Sequence, residues 1–203
     1  MSVVRRLPRY YRFLYDLMQN DVERTSSREL AARMGLTASQ VRQDLGCFGS
    51  FGQQGYGYGV VNLYEEIGRI LGMNTLSGAV LIGAGNLGRA VANHMTFEER
   101  GIRLLGIFDH ASDLLGKVVR NMPIQNMDKL EAFCGVYHPE VAVLCVPKEA
   151  APKLVERLLA VGVRGFWNFS HYDIVYDHPQ AVVENVHMGD SLMTLSYRMK
   201  QEG

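Results

Sequence analysis

Gly83-Ala84-Gly85-Asn86-Leu87-Gly88 follows an apolar run, Val80-Leu81-Ile82, and leads into apolar residues at helical spacing. A second apolar run, Ile107-Phe108, closes on Asp109, 21 residues after Gly88. This order of parts suits a dinucleotide. Gly83 lets the chain turn sharply after a strand, and Gly85 lets backbone approach a pyrophosphate held at the positive end of a helix. Gly88 lets helix and strand pack closely, and Asp109 can accept hydrogen bonds from a ribose diol. A carboxylate there favours the free 2′-hydroxyl of NAD over the phosphate of NADP. His110, with no arginine close behind it, agrees. A tight strand-to-helix turn with nothing bound would use the same glycines.

Other residues could do acid–base work. A dehydrogenase needs a proton donor or acceptor beside the nicotinamide and a domain to hold its substrate. His94, His171, His178 and His187 are candidates for the first. No second domain follows the nucleotide-binding half, so the expectation is a protein that is not an enzyme. Cys47, Cys134 and Cys145 are odd in number and lack metal-ligand spacing, which suits a reducing cytoplasm and no metal.

The elements that position these residues follow from pattern. Beyond Leu76 strands and helices alternate. Strands are expected at Gly78–Ile82, Arg103–Phe108, Val141–Val146, Gly165–Asn168 and Val182–Val186. Helices are expected at Leu87–Met95, Met127–Cys134 and Ala150–Val161. Such alternation implies an α/β fold of the Rossmann type, a parallel sheet with helices on both faces. Asp190–Lys200 reads as a terminal helix with its N-cap at Asp190. Leu192, Leu195 and Met199 form one apolar stripe and Met193 and Tyr197 a second, so this helix either packs inside its domain or enters a partner.

The first third differs in kind. Leu7–Met18 has the spacing of an amphipathic helix, with Pro8 near its first turn. Ser26-x-x-Glu29 and Thr37-x-x-Gln40 are two capping boxes, opening short helices on either side of Gly35. That is a helix-turn-helix pattern. Residues 49–59 hold five glycines among aromatics, the composition of a hairpin, and a hairpin after a helix-turn-helix makes a winged helix. Asn62–Leu71 reads as another helix. The expected organisation is a winged-helix DNA-binding domain over 1–74, a nucleotide-binding domain over 75–187 and a terminal helix over 188–203.

Composition narrows the class. Of 203 residues 47% are apolar and 21% charged, with net charge zero, as in ordinary globular proteins. No apolar run reaches the roughly 20 residues of a membrane span, and no signal-peptide core is seen. Residues 1–49 carry eight arginines, no lysine and five acids, a small basic excess that permits contact with phosphates.

Taken together, these residues resemble a known family. Arg42-Gln43-Asp44-Leu45, Phe48-Gly49, Phe51-Gly52, Gly55-Tyr56-Gly57-Tyr58 and Leu71-Gly72 resemble the winged-helix half of the Rex redox-sensing repressors. Gly83–Gly88, Phe108-Asp109, Val146-Pro147, Asn168-Phe169 and Val183–Leu195 resemble its second half. The resemblance spans nearly the whole chain. It implies a homodimer that binds palindromic double-stranded operator DNA and releases it on binding NADH, with NAD+ the DNA-permissive ligand. The C-terminal helix would be exchanged between subunits. Ser27, Thr37, Ser39, Gln40, Arg42 and Gln43 would face DNA, with Gln53, Gln54 and Tyr58 in the wing. Gly83, Ala84, Gly85, Asn86, Leu87 and Gly88 would hold the pyrophosphate, Asp109 and His110 the adenine ribose end. Val146, Pro147, Asn168 and Phe169 would line the nicotinamide end. Arg12, His94 and His187 would form the switch.

Several positions depart from the family pattern. Gln43 stands where a lysine or arginine is usual, and Gln53-Gln54 where the wing is usually basic. Each lost phosphate contact lowers salt dependence by about one counterion, while a glutamine can bond adenine with both ends of its amide. His94 replaces an expected tyrosine and His187 an expected aspartate. A relative that binds NAD(H) but acts through protein partners is the alternative.

Overall fold

The computed structural model describes residues 3–49 and 56–201. The chain divides into two compact units, Met1–Thr75 and Leu76–Gly203. The first contains α1 (Val3–Gln19), β1 (Arg24–Thr25), α2 (Ser27–Met34), α3 (Ala38–Gly46), β2 (Tyr58–Gly59) and α4 (Val60–Ile70). α1 buries Leu7, Tyr10, Leu14 and Leu17, the three- and four-residue spacing of one helical face. Pro8 sits inside this helix and not at its entrance. The bond it forgoes is to the carbonyl of Val4, an exposed residue where water can substitute.

Both helix starts seen in sequence form, but only one box closes. The Glu29 amide donates to Ser26 Oγ at 3.2 Å and the Ser26 amide to Glu29 Oε2 at 2.8 Å. Gly35 then ends α2 in the left-handed region, φ 64°. Thr37 Oγ1 accepts from the Gln40 amide at 3.1 Å, but the Gln40 side chain turns away to Asp44. The tip of the expected hairpin, including Gln53 and Gln54, lies outside the described residues. Within the hairpin segment β2 is described, and it pairs antiparallel with β1 from before α2, Thr25 opposite Tyr58. β1 is two residues long, too short to leave an alternating pattern.

The second unit runs β3 (Ser77–Ile82), α5 (Asn86–His94), β4 (Ile102–Asp109), β5 (Val118–Val119), β6 (Met122–Asn126), α6 (Leu130–Tyr137), β7 (Val141–Leu144), α7 (Ala151–Ala160), β8 (Gly165–Asn168), α8 (Ile174–Asp177), β9 (Val182–Asn185) and α9 (Met188–Gln201). The sheet order is β5-β6-β4-β3-β7-β8-β9, parallel except for the β5–β6 pair. This is the Rossmann-type sheet expected, with β3 central and the chain reversing direction on either side of it. α6 and α7 cover one face through Leu130, Val155 and Leu158 on Val80, Ile82 and Leu144. α5 covers part of the other, where Ala92 packs with Leu81, Ile107 and Val143. Beyond α5 that face is open over β7–β9. There an apolar groove of about 400 Å³ is lined by Phe97, Val141, Val143, Trp167 and Val182.

The β5–β6 hairpin and α8 were not foreseen. The hairpin turns on Arg120 and Asn121, both at positive φ (50° and 61°), a two-residue reversal without the glycine that usually announces it. α9 begins two residues before the expected cap. Asp190 lies in its first turn, with Oδ2 3.4 Å from His187 Nδ1. Among the described residues none in α9 is buried, and Leu192, Met193, Leu195, Tyr197 and Met199 are all exposed. No helix among the described residues is long and apolar enough to cross a membrane.

One buried carboxylate organises the first unit. Asp44 is fully buried on the inward face of α3 beside Val41 and Leu45. It accepts from Arg6 Nε and Nη2, both at 2.6 Å, from the Tyr10 hydroxyl at 3.0 Å and from Gln40 Nε2 at 2.9 Å. Burial raises its pKa, but these donors and the Arg6 charge more than offset that, and the carboxyl is held below its usual range. A depressed carboxyl stabilises the fold above its unfolded pKa, and the contribution is lost as pH falls through the folded value. Asp44→Ala therefore is expected to cost about 3 kcal/mol at pH 7, because Arg6, Tyr10 and Gln40 lose the buried acceptor they share. Thermal melts of the full chain should show the gap to wild type closing as pH is lowered to 3. A constant gap would mean that Asp44 acts through packing alone.

Candidate functional site

The glycine loop joins β3 to α5 by close contact. Gly83 has φ 95°, and a Cβ there would meet the Cys145 carbonyl oxygen at 2.5 Å. A Cβ at Gly88 would lie 1.9 Å from the Gly83 carbonyl oxygen. Gly85 is different. It is exposed, and a Cβ built on it would have nothing within 4 Å. It caps α5 without a side-chain bond, so the first amides of that helix have no side-chain acceptor at the cap. Open space beside bare backbone at a helix N-terminus is a cradle for an anion. Asn86 Oδ1 on the first turn is engaged by Arg89 Nη2 at 2.8 Å, and Leu87 is half-buried.

Asp109 stands at the end of β4 and is buried. Its Oδ2 accepts from the Ala84 amide at 2.6 Å and its Oδ1 from the Ala111 amide at 2.8 Å. The carboxylate thus ties the glycine loop to β4 before any ligand arrives, and a ribose could use only its remaining lone pairs. His110 is exposed, with Nδ1 3.5 Å from Asp109 Oδ1. Val146 is half-buried against the loop and Pro147 exposed.

Asn168 is bonded within the protein. It is fully buried, and its amide donates to the Tyr172 carbonyl and to Asn185 Oδ1, both at 2.8 Å. Its Oδ1 accepts from the Ser170 amide at 3.0 Å and hydroxyl at 2.6 Å. With four bonds made inside the protein, Asn168 shapes the turn after β8. Phe169 is half-buried, its ring edge-on to Trp167 at 4.8 Å between centroids. The same turn carries His171 at φ 61°, its ring stacked on that of His187 at 5.0 Å. This pairing is 16 residues apart in sequence and left no local pattern. His94 is the exposed last residue of α5.

In the first unit the outward face of α3 presents Ser39, Arg42 and Gln43, all exposed. Arg42 Nη1 donates to Ser27 Oγ at 3.2 Å, so the first turn of α2 and the middle of α3 share one surface hollow with Ser26, Arg28 and Ala38. Thr37 is exposed and committed to capping. Gln40 is the exception, since its amide points inward to Asp44. Tyr58 is half-buried against the core, and burial pushes its hydroxyl pKa up. Arg12 is exposed on α1. Asp44 and its ligands were missed by sequence reading. The available signal was an acid at an inward position of α3.

Comparison with known proteins matches this division. Residues 1–46 match a family described as putative DNA-binding protein N-terminus, and residues 74–172 one described as CoA binding domain. The chain is 48% identical over 202 residues to the redox-sensing transcriptional repressor Rex of Caldanaerobacter subterraneus subsp. tengcongensis, covering 100% of this chain and 90% of that one. It is 48% identical over 203 residues to Rex of Clostridium botulinum (strain Alaska E43 / Type E3), covering 100% and 96%. Among solved structures, that of RSP with β-NAD+ and operator DNA superposes with TM-score 0.90 at 45% identity, covering 100% of this chain and 94% of that one. RSP, a Rex-family repressor, with β-NADH gives TM-score 0.91 at 43% identity and the same coverage.

The two outer glycines differ from the central one in what a methyl group would meet. Gly88→Ala is expected to lower the melting temperature sharply, because backbone must move. Gly85→Ala should melt like wild type yet bind NADH at least about tenfold more weakly in calorimetry. Equal NADH affinity in a folded Gly85→Ala protein would rule out the cradle.

Proposed function

The chain belongs to the Rex family of redox-sensing transcriptional repressors, and from that premise we propose that it is a homodimeric repressor that binds operator DNA and releases it on binding NADH. The observation that carries the nucleotide half is Gly85, bare and open at the start of α5. NADH and NAD+ would place their pyrophosphate there. Gly83, Ala84, Asn86, Leu87 and Gly88 would form the loop, and Asp109 with His110 would disfavour a 2′-phosphate. Val146, Pro147 and Phe169 would lie towards the nicotinamide. Solved relatives carry β-NADH in one crystal and β-NAD+ with operator DNA in another, which supports reading the pair as opposed ligands. The role is regulatory, as the relatives' names state, and its place is the cytoplasm, where operator DNA and the NAD(H) pool meet.

DNA recognition would fall to α3. Arg42 can bond a guanine with both ends of its guanidinium, and Gln43 beside it can bond an adenine. Ser27, Thr37, Ser39 and Tyr58 would face the phosphates, and Gln53 and Gln54 are proposed as further contacts. Without lysine or arginine at these glutamines, binding should depend less steeply on salt. Arg12, His94 and His187 are proposed as the switch. A ligand moves an equilibrium only through unequal affinity for its two states, so NADH must favour the form that does not fit DNA.

α9 is proposed as the dimerisation helix of residues 188–203. Its exposed apolar stripes call for cover, and the open groove beside Trp167 on a second copy offers apolar surface of matching character. A soluble monomeric chain truncated after His187 that still melts cooperatively would contradict this, as an obligate dimer is expected.

The deciding experiment is an anisotropy titration of palindromic duplexes, half-sites about one helical turn apart, with and without NADH. Wild type should bind, NADH should weaken binding, and Arg42→Ala should lose roughly 1–3 kcal/mol. No binding to any such duplex at low salt would overturn the repressor reading in favour of protein partners. Binding indifferent to NADH would remove the redox half alone.

A further inference from the structure

α5, the helix that opens the cradle, is nine residues long, Asn86–His94. Its N-terminal half is fixed by the Gly83–Gly88 contact. Its other end is held by Ala92 packed on the sheet and by a side chain from a distant hairpin. Arg120 Nη1 donates to the Met95 carbonyl at 2.8 Å and, more weakly, to the Ala92 carbonyl at 3.4 Å. Nη2 pairs with Glu98 Oε2, and the guanidinium lies 5.4 Å from the centre of the Phe97 ring. One side chain thus holds four consecutive features of the segment that leaves α5: two carbonyls, an aromatic face and a carboxylate.

The backbone is committed to this placement. Arg120 has φ 50° at the turn between β5 and β6, a region that residues other than glycine seldom adopt. The left-handed conformation is part of the reversal that brings the side chain under the end of α5. The Arg120 side chain is partly buried, 27% exposed, so its bonds to the two carbonyls are less weakened by water than those of a fully exposed arginine. A cation at this end also complements the helix dipole whose opposite, positive end faces the cradle.

We propose that Arg120 is a positioning residue for nucleotide binding: it clamps the C-terminal end of α5 so that the amides at the other end stay aimed at the pyrophosphate. It touches no ligand. The inference rests on the nucleotide reading given above. A short helix pinned at one end can pivot about that end. Freed of Arg120, α5 would keep its contact at Gly88, while the direction of its first amides would vary. His94, the last residue of α5, would lose its fixed position as well.

The test compares two ligands that share adenosine but differ in the diphosphate. Full-length wild type, Arg120→Met and Arg120→Lys are titrated with ADP and with adenosine by calorimetry, and melted in parallel. Arg120→Met keeps an unbranched apolar stem and removes charge and donors. ADP affinity is expected to fall about tenfold in Arg120→Met, with adenosine affinity unchanged. Arg120→Lys, able to reach the carbonyls with one ammonium, should recover part of the loss. A lower melting temperature with unchanged ADP affinity would overturn the proposal, leaving Arg120 a purely structural brace. Equal losses for ADP and adenosine would overturn it too, placing the effect in the ribose pocket. If wild type binds neither ligand, the nucleotide reading itself fails.

Discussion

The contact on which the second unit depends is between two pieces of backbone. The carbonyl of Gly83 lies so close under α5 that a single carbon on residue 88 would overlap it. That approach fixes where α5 starts, while the bonds of Arg120 to the Ala92 and Met95 carbonyls hold its other end. It also determines that the first amides of α5 open beside Gly85, the one loop glycine with nothing around it. Asp109 then joins this loop to the neighbouring strand by accepting from the Ala84 amide. The carboxylate is structural first, and any ribose contact is made by a group already held in place. This is preorganisation in a literal sense, since the acceptor is not free to move away from the ligand.

The two units use buried aspartates in different ways. Asp44 gathers donors from side chains, Arg6, Tyr10 and Gln40, and so ties α3 to α1. Asp109 gathers backbone amides and so shapes a loop. In the first unit the consequence is orientation. With Val41, Asp44 and Leu45 turned inward, helical geometry turns Ser39, Arg42 and Gln43 outward. A nucleic acid meeting α3 would meet that face because the carboxylate holds the opposite one.

The end of the chain has the opposite character. α9 has no buried residue among those described, although its sequence is rich in methionine and leucine. The sheet face over β7–β9 carries an open apolar groove. Two apolar surfaces left open in one chain both call for cover. At the junction between sheet and helix, His187 stacks on His171 and lies near Asp190.

Reading the residues alone went far wherever structure is local. The glycine loop, the parallel strands, the first capping box and the amphipathic α1 were legible because each is written within a few residues of itself. Turn chemistry that breaks the usual rules was not: the Arg120-Asn121 reversal carries no glycine, and β1 is too short for a pattern. Side-chain destinations were also hidden. Gln40 and Asn168 looked like residues offered to ligands, and the folded chain turns both inward, Gln40 to Asp44 and Asn168 to Ser170, Tyr172 and Asn185. The sequence by itself determined which segments become strands and helices and where a phosphate could approach backbone, because those depend on local sterics and periodicity. Only the tertiary structure decided which polar side chains were already satisfied, because a hydrogen-bond partner 38 residues away, as Arg6 is from Asp44, leaves no trace in spacing.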